Sequence, residues 1–234
     1  PNAHVVASDN SSEERERAIR HAQAQGLSAR VSIEPIDLAD LHVFAHLAET
    51  GEELEACPAV DVVTCSLGLF MLPPSQQEGC LRGIHALLKP GGVLVASVWE
   101  QMPLLTLGAA SIGKALGRAS LPLPYAATSL GGGRADSLLC AAGFVPTTCR
   151  AHNAVHALPL RLGRHCTDAW LLGLMAYLPA IAELSTRPEH SGVFARARAA
   201  FDQEAALAGY VNSSEEVTVP LQWRMLCVRR PIDD

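Results

Sequence analysis

Two apolar runs, separated by a helical pattern, dominate the first half of the chain. The runs cover residues 59–70 and 88–99. Between them, apolar side chains recur at the spacing of one helix face, at Leu81, Ile84 and Leu87. A strand, a helix and a second strand in this order are typical of a βαβ unit in a parallel sheet. Because both strands are almost unbroken apolar runs, the sheet is expected to be covered on both faces.

The limits of this central helix are also predicted by the sequence. Ser75 with Glu78 three residues later is a capping-box pattern, which predicts a helix that begins at Ser75. Lys89-Pro90-Gly91-Gly92 predicts its end, because proline cannot continue a helix and glycine supplies the turn into the next strand.

Similar patterns extend the prediction in both directions along the chain. Strands are expected near residues 4–8, 30–34, 60–66 and 92–99, and Ser11 with Glu14 predicts a capped helix after the first of them. Periodicity also predicts further helices, at 41–54, 136–143, 168–182 and 193–207. Residues 217–229 are expected to form a final strand pair, so that an antiparallel edge completes a mostly parallel sheet.

Composition narrows the classes of function. A net charge of −6 argues against general nucleic-acid binding, which needs a basic face. The seven cysteines show no C-x-x-C spacing and are odd in number, which favours reduced thiols in a cytoplasmic protein. The apolar stretch 169–182 is shorter than the about 20 residues that cross a bilayer, so we predict no membrane span.

Histidine pairs raise the question of a metal site. His42 and His46 are four residues apart on a predicted helix, but they lack the glutamate of the zinc-protease motif. His152, His156 and His165 are candidates for a general base, and nothing in the sequence ranks them. We therefore predict no metal and assign no catalytic residue.

Together these patterns resemble the class I S-adenosylmethionine-dependent methyltransferases of the small-molecule type. The resemblance rests on the D-V-V of residues 61–63, the L-K-P-G-G of residues 88–92 and the A-G-F of residues 142–144. It implies an α/β fold with a doubly wound, mostly parallel, Rossmann-like sheet and a helical cap. It also implies S-adenosylmethionine as the cofactor and methyl transfer to a small, partly apolar acceptor.

One part of the family pattern is missing. The family places an acidic-x-G-x-G-x-G loop after a first strand that lies between the second and fourth strands. This chain has only eight residues before Asp9, where the second strand ends. We therefore expect the first strand to be missing, in a fragment truncated at its N-terminus or a degenerate paralogue. The complete protein is expected to be a methyltransferase, and this chain is expected to bind the cofactor weakly or not at all. The expected domains are residues 1–162 (partial cofactor domain), 163–209 (helical cap) and 210–234 (terminal strand).

The resemblance also implies the cofactor contacts. Asp9 would accept the ribose hydroxyl protons, Asp37 would accept the adenine amino hydrogen, and Leu38 would either pack on the ring or offer its backbone N–H. Cys65 and Ser66 end the fourth strand of the family pattern and would face the methionine part. Each position has an alternative role, as a simple loop or cap residue. Residues 69–71 could line an acceptor pocket or pack in the core.

Two other functions remain open. A nicotinamide-dependent oxidoreductase shares the acid at the strand end, although the L-K-P-G-G turn, the A-G-F helix and the absence of a Tyr-x-x-x-Lys pair favour the methyltransferase. A non-catalytic, methyltransferase-like partner protein would explain the missing glycine loop. The sequence does not predict the oligomeric state.

Overall fold

The computed structural model describes residues 3–50, 59–123, 128–147, 153–163 and 192–232. The N-terminal part contains β1 (Val5–Ser8), α1 (Ser12–Ala24), β2 (Val31–Glu34), a 3₁₀ turn (Leu38–Leu41) and α2 (His42–Thr50). The central part contains β3 (Val60–Ser66), a 3₁₀ turn (Leu69–Met71), α3 (Pro74–Leu87), β4 (Leu88–Gln101) and α4 (Pro103–Ala115). The C-terminal part contains α5 (Arg134–Ala141), β5 (Val145–Pro146), β6 (Val155–Gly163), α6 (Val193–Leu207) and β7 (Val217–Arg229).

The strands form a mixed α/β arrangement in two sheets. β1 and β2 pair in parallel, with Val5 opposite Val31. The second sheet has five strands in the order β3-β4-β7-β5, and β6 also pairs with β7. β3 and β4 are parallel, whereas β7 runs antiparallel to all of its neighbours. The predicted parallel pairs and the antiparallel direction of the C-terminal strand are confirmed, but this strand lies between β4 and β5 instead of at the edge of the sheet.

Two predicted details are wrong. The final strand pair of residues 217–229 is one continuous strand, β7, because β4 pairs along residues 222–229 while β6 pairs along residues 217–224. Ser75 does not cap α3, which begins one residue earlier at Pro74 without a side-chain cap. Proline at the first helical position has a suitable φ and no N–H that needs a partner, so it can start the helix without a serine cap.

Other predicted helices agree more closely. Ser11 caps α1 and accepts a hydrogen bond from the Glu14 backbone N–H at 3.3 Å. The inserted helix expected at 41–54 is observed as α2, and residues 51–58 lie outside the described ranges. The helix expected at 193–207 is α6, whereas the one at 168–182 falls outside the described residues. No helix in the described part of the chain is long and apolar enough to cross a membrane.

The hydrophobic core lies in the five-stranded sheet and its helices. Leu94 and Val98 of β4, Leu226 of β7, Ile84 of α3 and Phe201 of α6 are fully buried. α6 packs on α4, and the Arg196 guanidinium donates a hydrogen bond to the Ala115 carbonyl at 3.3 Å. The core thus joins both ends of the chain through β4 and β7.

Strands β1 and β3, which belong to different sheets, are packed less completely than this core. Val5 and Val6 of β1 are 50% and 48% exposed, and Val62 of β3 is 54% exposed. Among the described residues, β1 pairs only with β2 and β3 only with β4. No described strand therefore joins β1 to β3, the position where the resemblance places the first strand of the family.

Candidate functional site

The loop after β1 holds Asp9 in a tight turn. One carboxylate oxygen of Asp9 accepts a hydrogen bond from the Ser11 backbone N–H at 2.8 Å. The Arg15 guanidinium donates to the backbone carbonyls of Asp9 and Asn10, both at 2.9 Å. These bonds fix the loop between the strand and α1, and the Asp9 side chain is exposed there.

The loop after β2 is organised by Asp37. Its carboxylate accepts hydrogen bonds from the Ala39 backbone N–H at 2.9 Å and from the Asn10 side-chain amide at 3.0 Å. These two donors, the backbone one first, lower the pKa of Asp37 below its ordinary value of 3.8. The bond from Asn10 also joins the carboxyl ends of β1 and β2.

The loop after β3 has an unusual backbone. Leu67 has a φ of 52°, in the left-handed region of backbone conformation that residues other than glycine and asparagine rarely adopt. Its backbone N–H donates to the carbonyl and the hydroxyl of Ser97 at 3.2 and 3.1 Å, and the Ser66 hydroxyl lies 3.2 Å from that of Ser97. Such a conformation costs on the order of 1–3 kcal/mol and is often found at functional sites.

Gly68 allows the loop after β2 to contact the loop after β3. A Cβ atom on Gly68 would lie 3.1 Å from Cδ1 of Leu38 and 3.0 Å from Sγ of Cys65. Both distances are tighter than ordinary van der Waals contact, so glycine at this position lets the Leu38 side chain approach the end of β3. Four of the five predicted cofactor residues therefore lie around this contact, and Asp9 is linked to them through Asn10.

Cys65 contributes packing and backbone groups to this cluster. Burial raises the pKa of its thiol. Burial, with the nearby Cys65 and Asp37, also raises the pKa of Cys80 to about 12. Since the thiolate is the reactive form, neither side chain is suited to act as a nucleophile at neutral pH.

A separate cleft of about 370 Å³ lies just beyond the end of β4. We call it the outer cleft. Its apolar part is formed by Met102, Pro103, Leu105 and Leu123, and its polar part by Gln101, Thr106, Thr128 and Tyr210. Residues 69–71, which could have lined a pocket, do not line it: Leu69 and Phe70 are buried in the core and Met71 is exposed.

The described histidines do not form a metal site. Among the described residues, no three metal-ligating side chains come together. The His156 ring stacks on Trp223, with centroids 4.3 Å apart, and Nδ1 of His42 lies 2.7 Å from the Ala39 carbonyl oxygen. His152 and His165 lie outside the described residues, so the general base stays unassigned.

Four residues of the cluster were not predicted from the sequence: Asn10, Leu67, Gly68 and Ser97. Gly68 offered a signal, since glycine after a strand often marks close backbone approach. Leucine is not a residue expected at a positive φ, so the sequence carried no signal for the backbone of Leu67. The links made by Asn10 and Ser97 depend on strand pairing and could not be derived from local patterns.

Comparison with known proteins defines the fold. No protein-family model matches the chain, and no curated protein matches its sequence. A candidate methyltransferase from Bacillus halodurans C-125 has a TM-score of 0.53 and 12% identity, covering 97% of this chain and 83% of that one. The YcgJ protein from Bacillus subtilis has a TM-score of 0.50 and 11% identity, covering 97% and 82%.

A third structure has a lower TM-score and a higher sequence identity. A SAM-dependent methyltransferase from Thiobacillus denitrificans, in complex with S-adenosyl-L-homocysteine, has a TM-score of 0.39 and 18% identity, covering 97% of this chain and 75% of that one. The chain shares the fold of these first two structures, and it is the Rossmann-like fold that the sequence resemblance implied. At 11–12% identity this likeness identifies the fold alone.

Proposed function

We propose that the chain binds S-adenosylmethionine at the carboxyl ends of β1, β2 and β3 and supports methyl transfer to a small, partly apolar acceptor. The observation that carries the proposal is the pair of contacts that joins three loops. Asn10 bonds to Asp37, and Leu38 lies against Gly68. Open α/β sheets bind ligands outside the carboxyl ends of their strands, which is where these loops meet.

The roles proposed for the individual residues follow their positions. Asp9 presents an exposed carboxylate that can accept hydrogen bonds from ribose hydroxyls. Asp37, whose pKa is lowered from its ordinary value, is ionised at neutral pH and can accept a hydrogen bond from the adenine amino group. Leu38 offers an apolar side chain to the ring. Backbone groups of Cys65 and Ser66 are placed toward the methionine part.

The chain's part in the reaction is binding and orientation. When bound, the sulfonium of the cofactor supplies a methyl group that is already electrophilic. The residues around the site then have to align the acceptor in line with that group and exclude water. A general base is needed only where the acceptor atom must lose a proton when it gains the methyl group, as a hydroxyl oxygen does.

The acceptor side is proposed to include a helical cap at residues 163–209, between α/β portions at 1–162 and 210–234. The packing of α6 on α4 supports this division, because the first turn of α4 lines the outer cleft. The net charge of −6 supports a small-molecule acceptor over a nucleic acid, and the cysteine pattern supports a cytoplasmic location.

A nuclear magnetic resonance titration tests the proposal. The ¹⁵N-labelled 234-residue chain is titrated with S-adenosylhomocysteine and, separately, with NADH, because the method detects even millimolar binding. We expect S-adenosylhomocysteine to shift the backbone signals of residues 9–10, 37–39 and 65–68. Asp9→Asn should weaken this binding roughly 5- to 150-fold, the range for leaving a buried hydroxyl partner unmet.

Asp61→Asn is the matched control. Asp61 lies at the opposite end of β3, where it pairs with Lys89 at 2.9 Å and is exposed, so its loss should leave the titration unchanged. Shifts at the three loops with NADH alone would support the oxidoreductase instead. No shifts there with either compound would support a non-catalytic partner protein and overturn the proposal.

A further inference from the structure

We propose that the outer cleft is a binding site for an uncharged aromatic or similarly apolar molecule that carries a hydroxyl group. Its volume, about 370 Å³, lies within the range of roughly 300–1,000 Å³ that is common for small-molecule sites. Its described lining consists of apolar side chains and neutral hydrogen-bonding groups, and no described lining residue is charged. This combination suits a molecule with an apolar body and one neutral polar group.

The cleft lies on the ligand-binding edge of the sheet. Gln101 is the last residue of β4, and Ser97, which contacts Ser66, lies four residues earlier on the same strand. At about 3.3 Å per residue, the cleft begins roughly 13 Å beyond that contact. A molecule in the cleft would therefore be on the same side of the sheet as the three loops.

The walls of the cleft are held in place by the fold. Leu105 is only 2% exposed and anchors the first turn of α4 in the core. The Tyr210 backbone donates to the Ala205 carbonyl at 2.9 Å and accepts from the Thr218 N–H at 2.7 Å. Thr128 accepts from the Gly131 N–H at 3.0 Å. Because these groups are already positioned, binding does not have to order them.

The charged residue next to Gln101 in the described part of the chain is already paired. Glu100 precedes the cleft residue Gln101, but its carboxylate lies 2.6 Å from the Arg224 guanidinium and accepts from the Gly132 N–H at 2.9 Å. Arg224 is 6% exposed and also bonds to Asp136 at 2.5 Å. A charged ligand would lose its hydration without gaining an opposite charge, which is costly, so the site favours neutral molecules.

If the proposed function holds, this molecule is the methyl acceptor, and the substrate class is a neutral, hydroxyl-bearing apolar compound. Binding to the cleft does not itself require the cofactor. The two proposals can therefore fail separately: the titration with S-adenosylhomocysteine tests one, and a titration with acceptor-like probes tests the other.

The experiment uses three probes of one shape: 4-methylphenol, 4-methylbenzoate and 4-methylbenzylammonium. Each is titrated into the ¹⁵N-labelled chain at pH 7 without cofactor. We expect 4-methylphenol to shift the signals of Thr106, Thr128 and Tyr210, with an affinity at least about tenfold above those of the charged probes. Equal or tighter binding of a charged probe, shifts confined to other residues, or no shifts with any probe would overturn the proposal.

Variants locate the site. Thr106→Trp should fill the cleft and abolish the shifts, whereas Thr50→Trp places the same side chain on an exposed position of α2 and should leave them intact. Tyr210→Phe should weaken 4-methylphenol roughly 2- to 12-fold through the lost hydrogen bond. It should not weaken 1,4-dimethylbenzene, which has no hydroxyl. Equal losses for both compounds would show that Tyr210 only supports the wall.

Discussion

The two sheets are built from similar apolar strands but are buried to different extents. Val5 and Val6 of β1 are about half exposed, at 50% and 48%, whereas Leu94 and Val98 of β4 are fully buried. β4 has β3 on one edge and β7 on the other, while β1 pairs with β2 alone among the described strands. An apolar run thus predicts a strand, but its burial depends on the neighbours that the fold supplies.

This difference determines where the stability of the molecule lies. Burial of apolar surface contributes roughly 25 cal/mol per Å² to stability. The five-stranded sheet with α3, α4 and α6 therefore supplies most of the stabilising free energy. The β1–β2 sheet has fewer buried contacts, and such regions open at lower free energy than the core. Two of the three cofactor loops proposed above follow β1 and β2, so binding would depend on the less stable region.

The largest expected effect comes from truncating the core of the five-stranded sheet. Leu94→Ala should lower the free energy of unfolding by about 2–5 kcal/mol, because it leaves a cavity at a fully buried position. Val6→Ala, in β1, should change it by only about 0.5 kcal/mol, as at other exposed positions. Urea denaturation, followed by the fluorescence of Trp99 and Trp223, measures both. Equal losses would show that β1 is as well packed as β4.

The same contrast explains how much of the fold could be predicted from the sequence. Strands β1 to β4 and the helices α1 and α6 were predicted within a few residues, because periodicity and capping are local signals. The pairing of β7 with three strands was not, since residues far apart in sequence create it. The start of α3 was shifted by one residue because Pro74 and Ser75 both resemble a helix start.

The candidate site divides in the same way. Asp9, Asp37 and Ser66 could be placed at strand ends from the sequence, since each follows or closes an apolar run. The contacts that bring them together could not be predicted: Asn10 with Asp37, and Leu38 with Gly68. The outer cleft also had no sequence signal, because its lining comes from separate segments between Gln101 and Tyr210.

A medium effect is expected where the N-terminal region docks on the core. A Cβ atom on Gly83 of α3 would lie only 1.8 Å from the Leu41 carbonyl oxygen, in the 3₁₀ turn that follows β2. Gly83→Ala should therefore push this turn away and cost about 1–3 kcal/mol in the free energy of unfolding. Hydrogen exchange should accelerate more in β1 and β2 than in β4.

Gly79→Ala is the matched control on the same helix. A Cβ atom on Gly79 would lie 3.2 Å from Cβ of His42, so the start of α2 has to shift by only a few tenths of an ångström. The gain of up to about 1 kcal/mol from replacing glycine in a helix should then offset any strain. If Gly83→Ala proved as mild as Gly79→Ala, the docking of the 3₁₀ turn would not limit the stability of the N-terminal region.

The smallest effect is expected at the loop bond between Asn10 and Asp37, in the more exposed region. Because the pKa of Asp37 is lowered, its contribution to stability is fully present above the ordinary value of 3.8 and is lost as the pH falls through the lowered pKa. Asn10→Ala removes one of the two donors and should raise the pKa of Asp37 toward 3.8, whereas Asn212→Ala, whose amide bonds to Glu216, should not. A carbon-13 titration of the Asp37 carboxyl signal measures the shift. An unchanged pKa in Asn10→Ala would show that the Ala39 N–H alone holds the carboxylate, and that the ends of β1 and β2 are not joined through Asn10 in solution.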